Sequence, residues 1–282
     1  MLVDIGNTRI KWAIWRAGRL APMRAAFHQG WAQKDYERHL FGGGSETGPM
    51  PLGRRVSAIV VASVAGARVN RLLTAAARHA CGVRPRFIAT SRRAAGVTTR
   101  YIETWRLGVD RFIGVIGARS LLGAAGVCVV NAGTAVTIDL LDAQGVHRGG
   151  AILPGPRLMV ASLLEGTAGI GRRARGKADP QQRSHRAALF ARSTRAAIEG
   201  GARYAAASAV DRAVTEARRV LGKTPRVLLT GGGADELEPL IRARHVRVAD
   251  LVLRGIAAHV GLALAATRRP ARRRDDGAGS PA

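Results

Sequence analysis

The chain has 282 residues, with 45 lysine or arginine and 19 aspartate or glutamate residues, so its formal net charge is +26 at pH 7. A hydrophobic fraction of 47% excludes a disordered chain, and the length fits roughly two domains of about 100 to 200 residues each. Two cysteines exclude a disulfide framework or a zinc cluster, and the lack of a signal peptide or of a run of about 18 apolar residues predicts a cytoplasmic protein without a membrane span.

The first third of the chain predicts alternating strands and helices. An apolar run that ends at Asp4 and an alternating segment at residues 10–14 predict two strands joined by a glycine-containing turn. The pattern then predicts a helix at 31–40, a loop rich in glycine and proline at 42–53, a strand at 56–62, a helix at 68–79 and a short strand at 87–88. This order indicates an α/β fold.

The rest of the chain repeats this opening. A helix is predicted at 110–122, and strands at 127–130 and 136–141 flank a second turn, Asn131-Ala-Gly-Thr134. After a strand at 149–155 and a basic, irregular stretch at 169–179, the sequence predicts helices at 186–204, 208–220 and 253–267 and a strand at 226–229. We therefore expect a duplicated α/β fold with domains at 1–112 and 113–266, followed by a basic, disordered tail at 267–282.

The first turn, Asp4-Ile-Gly-Asn-Thr8, has the residue types of a phosphate-binding loop. Its carboxylate follows a strand and can hold Mg²⁺, usually through water, while the glycine lets backbone N–H groups approach an anion. Lys11 adds a positive charge nearby. Because aspartate, glycine and asparagine are also common in ordinary hairpin turns, this motif alone leaves a plain turn open.

Two further glycine-containing turns favour the phosphate interpretation. The strand-turn-strand pattern returns around Asn131 and Thr134, and two such turns facing each other across a cleft would clamp a triphosphate from both sides. The glycine triplet at 231–233 lies between a strand and a helix, where it permits close approach of a flat ring or a phosphate. A plain strand-to-helix loop explains the triplet equally well.

Gly108-Val-Asp-Arg111 opens the helix predicted at 110–122. Asp110 can be a helix N-cap that satisfies otherwise unpaired N–H groups. It can instead be a general base for a substrate hydroxyl, with Arg111 as a fork for an anionic group. These residues alone leave both roles open.

Six motifs in this order resemble the type III pantothenate kinases, which are members of the acetate kinase, sugar kinase, Hsp70 and actin superfamily. The resemblance extends from Asp4 to about Ala266. It implies an α/β fold of two actin-like (ribonuclease H-like) domains with a nucleotide cleft between them. It also implies that ATP phosphorylates the primary hydroxyl of pantothenate to 4′-phosphopantothenate, the first step of coenzyme A biosynthesis. The motifs are Asp-x-Gly-Asn-Thr, Gly-x-Asp-Arg, Ala-Gly-Thr-Ala-x-Thr-x-Asp, Gly-Gly-x-Ile-x-Pro-Gly, Thr-x-x-Ala-Ile and Thr-Gly-Gly-Gly.

The resemblance further implies roles for individual residues. Asp110 would be the proton acceptor, Asp4 would hold Mg²⁺, and Thr194 would reach the substrate site of the neighbouring protomer in a homodimer. The ATP site would comprise Asp4, Ile5, Gly6, Asn7, Thr8, Arg9, Ile10, Lys11 and Thr134. The pantothenate site would comprise Tyr101, Gly108, Val109, Asp110, Arg111 and Thr194.

Asn131 departs from the family pattern. Family members commonly have aspartate at this position, which is associated with a monovalent cation, potassium or ammonium. Asparagine keeps a carbonyl ligand but loses the charge, so we expect weaker cation binding or a changed requirement.

Two other function classes stay open. A kinase or phosphatase of the same superfamily could act on another small molecule, although Gly108–Arg111 and Thr194 are the elements most tied to pantothenate. A nucleic-acid-binding or transcription accessory protein is the third class, because relatives of this family have been named as accessory factors for regulated gene expression. However, the charge is spread over the chain: residues 267–282, with five arginines and two aspartates, hold only +3 of the total. A spread charge argues against a single dedicated groove for nucleic acid.

Overall fold

A computed structural model describes residues 1–42, 56–174 and 189–262, and it shows an α/β protein with two main β-sheets. The strands are β1 (Leu2–Ile5), β2 (Arg9–Ala13), β3 (Trp15–Arg16), β4 (Arg19–Leu20), β5 (Arg24–Phe27), β6 (Val60–Ser63), β7 (Arg86–Phe87), β8 (Arg93–Ala94), β9 (Val97–Thr99), β10 (Val127–Ala132), β11 (Ala135–Leu141), β12 (Val146–Pro154), β13 (Arg226–Thr230) and β14 (His245–Arg247). The helices are α1 (Gln33–Tyr36), α2 (Gly66–Cys81), α3 (Val109–Leu122), α4 (Pro156–Gly166), α5 (Ala168–Arg173), α6 (Thr194–Leu221), α7 (Ala234–Leu237) and α8 (Leu251–His259). A π-helical turn at Glu37–Phe41 continues α1, and short 3-10 turns lie at Thr104–Arg106 and Glu238–Leu240.

The two sheets repeat one topology. The first has the order β5-β2-β1-β6-β7, with β2 antiparallel and β6 parallel to β1. In the second, β12-β11-β10-β13-β14 follow the same order, with β11 antiparallel and β13 parallel to β10. Strands β9 and β8 extend the second sheet beyond β12. The duplicated, actin-like α/β fold predicted from the sequence is therefore confirmed.

A shared hydrophobic core lies between the sheets and is built on α3 and α8. Phe112, Ile113 and Ile116 of α3 are fully buried in it, together with apolar residues of β1, β6, β10 and β13. The two helices come very close where Gly117 of α3 meets Gly255 of α8. A Cβ placed on Gly117 would lie only 3.1 Å from the backbone nitrogen of Gly255, so the absence of a side chain permits this approach. This packing fixes β1 and β10 relative to each other, and each of these strands leads into one of the glycine-containing turns.

Several helices differ from the predictions. Residues 194–221 form one continuous helix instead of two, because the alanines at 205–207 contain nothing that breaks a helix. The predicted start at 186 was too early, since residues 189–193 precede α6; residues 186–188 lie outside the described ranges. Residues 169–173 are helical and not irregular, whereas 175–179 lie outside the described ranges. The last helix ends at His259, not at 267.

Other predictions fall partly outside the described residues. The strand predicted at 56–62 begins only at Val60. The glycine-rich loop from 43 onward to 53 and the tail at 267–282 lie outside the described ranges. The domain boundary at 112 and 113 stays a prediction; α3 runs through both positions without a break, and β8 and β9, upstream of them, join the second sheet. Within the described ranges, the apolar helices are all too short to cross a bilayer.

Candidate functional site

A cavity of about 310 Å³ lies near the carboxyl ends of β1 and β10. The structure brings both predicted turns, the glycine triplet and the start of α3 to this one cleft. The predicted site residues that line it are Asp4, Gly6, Asn7, Thr8, Arg9, Lys11, Asp110, Asn131 and Thr134. Lining residues that the sequence analysis did not select include Phe27, Arg157 and Glu236.

The two turns face each other across the cleft. The hydroxyl oxygens of Thr8 and Thr134 are 2.9 Å apart, within hydrogen-bond distance. Each turn is closed by one backbone hydrogen bond, from Gly6 N to Arg9 O in the first and from Gly133 N to Ala135 O in the second, both at 3.0 Å. The two halves of the fold therefore present matching turns to the same space.

A buried histidine supports the first turn from behind. His28 Nε2 donates to the carbonyl oxygen of Gly6 at 2.7 Å, because a carbonyl oxygen only accepts. In the neutral ring, Nδ1 then accepts from the Tyr36 hydroxyl at 3.0 Å. Both side chains are buried. The sequence analysis missed them, since neither lies in a recognisable motif.

Two carboxylates, the buried Asp4 and the partly buried Asp110, face the cleft. Burial raises the pKa of Asp4 from 3.8 to about 6, although the charge of Lys11 lowers it, and the charge of Asp110 raises it further. Burial also raises the pKa of Asp110; the N–H of Arg111 lowers that pKa, and the charge of Asp139 raises it. A cation between Asp4 and Asp110 would relieve the cost of ionising both.

The donor set of the cleft fits a metal ion that is shared with a phosphate ligand. Among the described residues, no cluster of three or more His, Cys, Asp and Glu side chains forms a protein-only metal site. Mg²⁺ characteristically takes one or two protein carboxylates and completes its shell with water and phosphate oxygens. The carboxylate of Asp4, beside the first turn, matches that requirement.

The start of α3 places Asp110 in the cleft. Gly108, not Asp110, is the N-cap residue of this helix, and Val109 is its first residue. Asp110 Oδ1 accepts from the backbone N–H of Arg111 at 2.9 Å. A Cβ on Gly108 would lie 2.7 Å from that same Oδ1, so the glycine leaves room for the carboxylate. The N-cap alternative for Asp110 is therefore wrong.

Arg111 is almost fully buried and bonded on two sides. Its Nε and Nη2 donate to the two carboxylate oxygens of Asp139 at 3.0 and 2.7 Å. Its Nη1 donates to the hydroxyl of Tyr101 at 2.9 Å. Two residues predicted for the substrate site, Tyr101 and Arg111, therefore contact each other directly.

The remaining predicted residues have different positions. Ile5 and Ile10 are fully buried beneath the first turn and do not reach the cavity. The guanidinium of Arg9 lies 4.4 Å from the centre of the Phe27 ring. Thr194 begins α6, and in the described part of the chain it is not among the residues that line the cleft. The described part of one chain therefore does not bring Thr194 to this cleft.

The chain is similar to known proteins in sequence and in fold. The family model for type III pantothenate kinase matches residues 1–216. A type III pantothenate kinase of Aromatoleum aromaticum is 38% identical over 257 residues, which cover 91% of this chain and 96% of the relative. One of Nitrosococcus oceani is 33% identical over 261 residues, which cover 91% and 92%. A solved Campylobacter jejuni structure, described as a Baf family transcriptional activator, has a TM-score of 0.50 at 18% identity and covers 92% of this chain and 96% of that one, a likeness that concerns the fold alone.

Proposed function

Because the chain belongs to the type III pantothenate kinase family, we propose that it transfers a phosphoryl group from ATP to the primary hydroxyl of pantothenate. The product is 4′-phosphopantothenate, so the reaction is the first step of coenzyme A biosynthesis. The observation that carries this proposal is the convergence of two phosphate-type turns and the partly buried carboxylate of Asp110 on one cleft. The use of ATP favours a cytoplasmic location.

The two turns bind the triphosphate of ATP in this proposal. The first turn and its flanks, from Asp4 to Lys11, contribute backbone N–H groups and the charges of Arg9 and Lys11, and Thr134 contributes its hydroxyl from the other side. The hydroxyl oxygens of Thr8 and Thr134 are 2.9 Å apart, and this distance supports the assignment. If the two hydroxyls move slightly apart, both can donate hydrogen bonds to one phosphate group placed between them. Asp4 would hold Mg²⁺, which when bound neutralises charge on the phosphate oxygens.

Asp110 accepts the proton of the substrate hydroxyl. Burial raises the pKa of its carboxyl group, which strengthens it as a base. Its hydrogen bond with the N–H of Arg111 fixes one carboxylate oxygen, which leaves the other oxygen for the hydroxyl. The substrate contacts are assigned to Tyr101 and to residues 108–111 around this base.

A homodimer completes the site by bringing Thr194 of one protomer to the substrate of the other. Among residues 1–42, 56–174 and 189–262, little covers helix α4 and strand β12: Ile152 is 64% exposed and Leu158 is 45% exposed. A second copy on this face would remove those side chains from water. Because α6 packs against α4, its first residue, Thr194, lies on the element next to that face.

A monovalent cation, potassium or ammonium, is assigned to the position of Asn131. Asn131 lines the cleft at the end of β10 and contributes a neutral amide oxygen. Titration of activity with potassium tests this assignment. Strong, saturable activation supports a site at Asn131, and activity that is independent of potassium, ammonium and sodium contradicts it.

A coupled assay of ADP release with and without pantothenate tests the proposed function. We expect ATP consumption only when pantothenate is present, together with one phosphorylated product whose mass corresponds to 4′-phosphopantothenate. Sugars and other small alcohols serve as matched acceptors. ADP release that does not depend on pantothenate, or that is faster with another acceptor, would contradict the proposal.

A further inference from the structure

A buried polar cluster lies behind the proposed substrate site and is not accounted for by the proposed reaction. It consists of Thr99 on β9, Arg111 on α3, Asp139 on β11 and His147 on β12, which we call the Asp139 cluster. None of these residues is more than 5% exposed. Asp139 accepts two hydrogen bonds from Arg111 and a third from His147 Nε2 at 2.8 Å.

Every polar atom of this cluster finds a partner in one consistent arrangement. A carboxylate only accepts, so His147 Nε2 must donate to Asp139. In the neutral ring, Nδ1 then accepts from the hydroxyl of Thr99 at 3.2 Å. The oxygen of Thr99 in turn accepts from the backbone N–H of Tyr101 at 3.2 Å. A fully satisfied network of this kind fixes the orientation of each member.

The cluster holds Tyr101 by three separate contacts. Arg111 Nη1 donates to its hydroxyl, Thr99 accepts from its backbone N–H, and the His147 ring stacks on its ring. The two ring centres are 6.0 Å apart and the planes differ by 16°. Tyr101 therefore has a fixed position at its ring, its hydroxyl and its backbone.

The same cluster reaches the proposed base. The backbone N–H of Arg111 bonds to Asp110, while the side chain of Arg111 is anchored to Asp139. Burying an ion pair gives little net stability compared with a well-packed apolar core, so stability alone is a weak reason for this arrangement. The cluster instead contacts two residues of the proposed substrate site, Tyr101 and Asp110.

We propose that Asp139, His147 and Thr99 are positioning residues for the acceptor substrate, which act by holding Tyr101 and the first turn of α3 in place. This inference rests on the proposed function, because it assigns the substrate to those two elements. The nucleotide side of the cleft has its own support in His28, so damage to the Asp139 cluster affects the acceptor and not ATP.

Two substitutions of His147 separate the effect of its hydrogen bonds from that of its ring stacking on Tyr101. His147→Phe keeps a ring that stacks on Tyr101 but removes both hydrogen bonds, and His147→Gln keeps a donor for Asp139. For His147→Phe we expect the KM for pantothenate to rise about tenfold and the KM for ATP to change less than about twofold. For His147→Gln we expect a smaller rise in the KM for pantothenate than for His147→Phe, because glutamine can still donate to Asp139. Arg148→Gln is the matched control, because Arg148 is the next residue of β12 and points to the opposite, partly exposed side.

Equal rises in the two KM values, or no rise in either, would overturn the positioning role. Thr99→Val, which keeps the shape of the side chain but removes its hydrogen bonds, tests the same role if His147→Phe does not fold. Hydrogen exchange of residues 99–113 in the substrate-free protein provides a readout that does not require activity. Faster exchange in the variants than in Arg148→Gln supports the proposal, and unchanged exchange overturns it. If the wild-type protein does not phosphorylate pantothenate, the proposed function fails, while hydrogen exchange still decides the role of the cluster.

Discussion

A buried histidine lies behind each of the two proposed binding regions, the nucleotide turn and the acceptor-substrate site, but the two histidines hold different groups. We call these two proposed regions the nucleotide end and the substrate end. At the nucleotide end, His28 donates to the backbone carbonyl of Gly6 and is itself held by Tyr36. At the substrate end, His147 donates to the carboxylate of Asp139, which forms an ion pair with Arg111. The first support is a set of neutral hydrogen bonds to a peptide group, and the second is a buried pair of charges.

This difference determines how each end responds to substitution. A peptide carbonyl is present whatever the side chain, so the nucleotide turn keeps its anchor when its side chains change. Each member of the Asp139 cluster depends on the others, because the loss of one partner leaves a charge buried without compensation. We therefore expect larger effects from changes at the substrate end than from changes in the support of the nucleotide end.

The largest expected effect concerns Asp110, the proposed base at the substrate end. Asp110→Asn keeps the size of the side chain but cannot accept the proton of the hydroxyl, so turnover should fall by about 10² to 10⁴. The KM for ATP should stay close to that of the wild type, because the nucleotide turn keeps all of its residues. ADP release at saturating ATP and pantothenate measures this. Turnover close to the wild-type value would rule out Asp110 as the base.

Asp4, the carboxylate of the nucleotide end, should show its effect in stability. Its pKa is about 6 in the folded chain, above the ordinary 3.8, so its charged form is disfavoured on folding. The stability associated with protonated Asp4 is fully present below pH 3.8 and is lost as the pH rises through about 6. Without nucleotide or metal, Asp4→Asn should therefore stabilise the fold by about 3 kcal/mol near pH 8 and much less near pH 4.

Urea unfolding of wild type and Asp4→Asn at both pH values measures this difference. The same variant should lose activity, since it removes the proposed Mg²⁺ ligand. A stability difference of equal size at both pH values would show that the ionisation of Asp4 is not its cause.

Substitution of Gly150 on β12 by alanine tests how tightly the Asp139 cluster is packed. A Cβ at this position would first meet the backbone carbonyl oxygen of Ile138 on β11, and it would lie 2.6 Å from both Arg111 Nη2 and Asp139 Oδ1. Gly150→Ala must therefore shift the strand, push the ion pair apart, or do both. We expect a loss of about 1 to 3 kcal/mol in the free energy of unfolding. The KM for pantothenate should rise about tenfold, because Tyr101 and α3 lose their anchor. Steady-state kinetics with each substrate varied in turn measures this change.

Gly166→Ala is the control for Gly150→Ala. Gly166 ends α4, and nothing lies within 4 Å of a Cβ added there. This variant should keep wild-type kinetics and stability. If Gly150→Ala behaved in the same way, the cluster would tolerate displacement, and its proposed role at the substrate end would be contradicted.

The two ends also differ in how well the sequence predicts them. The nucleotide turn was found because its polar residues, Asp4 to Thr8, are consecutive and directly follow an apolar strand. Asp110 and Arg111 were found because they are adjacent at the start of a predicted helix. Their supports were missed because they are distant in sequence: Arg111 and Asp139 are 28 residues apart, and Thr99 and His147 are 48 apart. Only the register of three strands and one helix brings them together.

The elements of the fold also differ in how well local sequence patterns predict them. The strands before the two turns were predicted because strands buried on both faces appear as continuous apolar runs. Helix α4 was missed because the sequence analysis assigned no element between the strand that ends at residue 155 and residue 169, although Pro156, the first residue of α4, is favourable at a helix start. Helix α6 was divided in two because its alanine-rich middle lacks a clear amphipathic pattern.

The smallest effect is expected at Tyr36, in the support of the nucleotide end. Tyr36→Phe removes the hydroxyl that bonds to His28 Nδ1 but keeps the ring, and His28 can still donate to Gly6. The free energy of unfolding should fall by about 1 kcal/mol, and the KM for ATP should rise by no more than about fivefold. The KM for pantothenate should not change, because Tyr36 has no contact with the Asp139 cluster. A selective rise in the KM for pantothenate would mean that the two ends are not independently supported, since the backbone of the first turn would then transmit the change to α3.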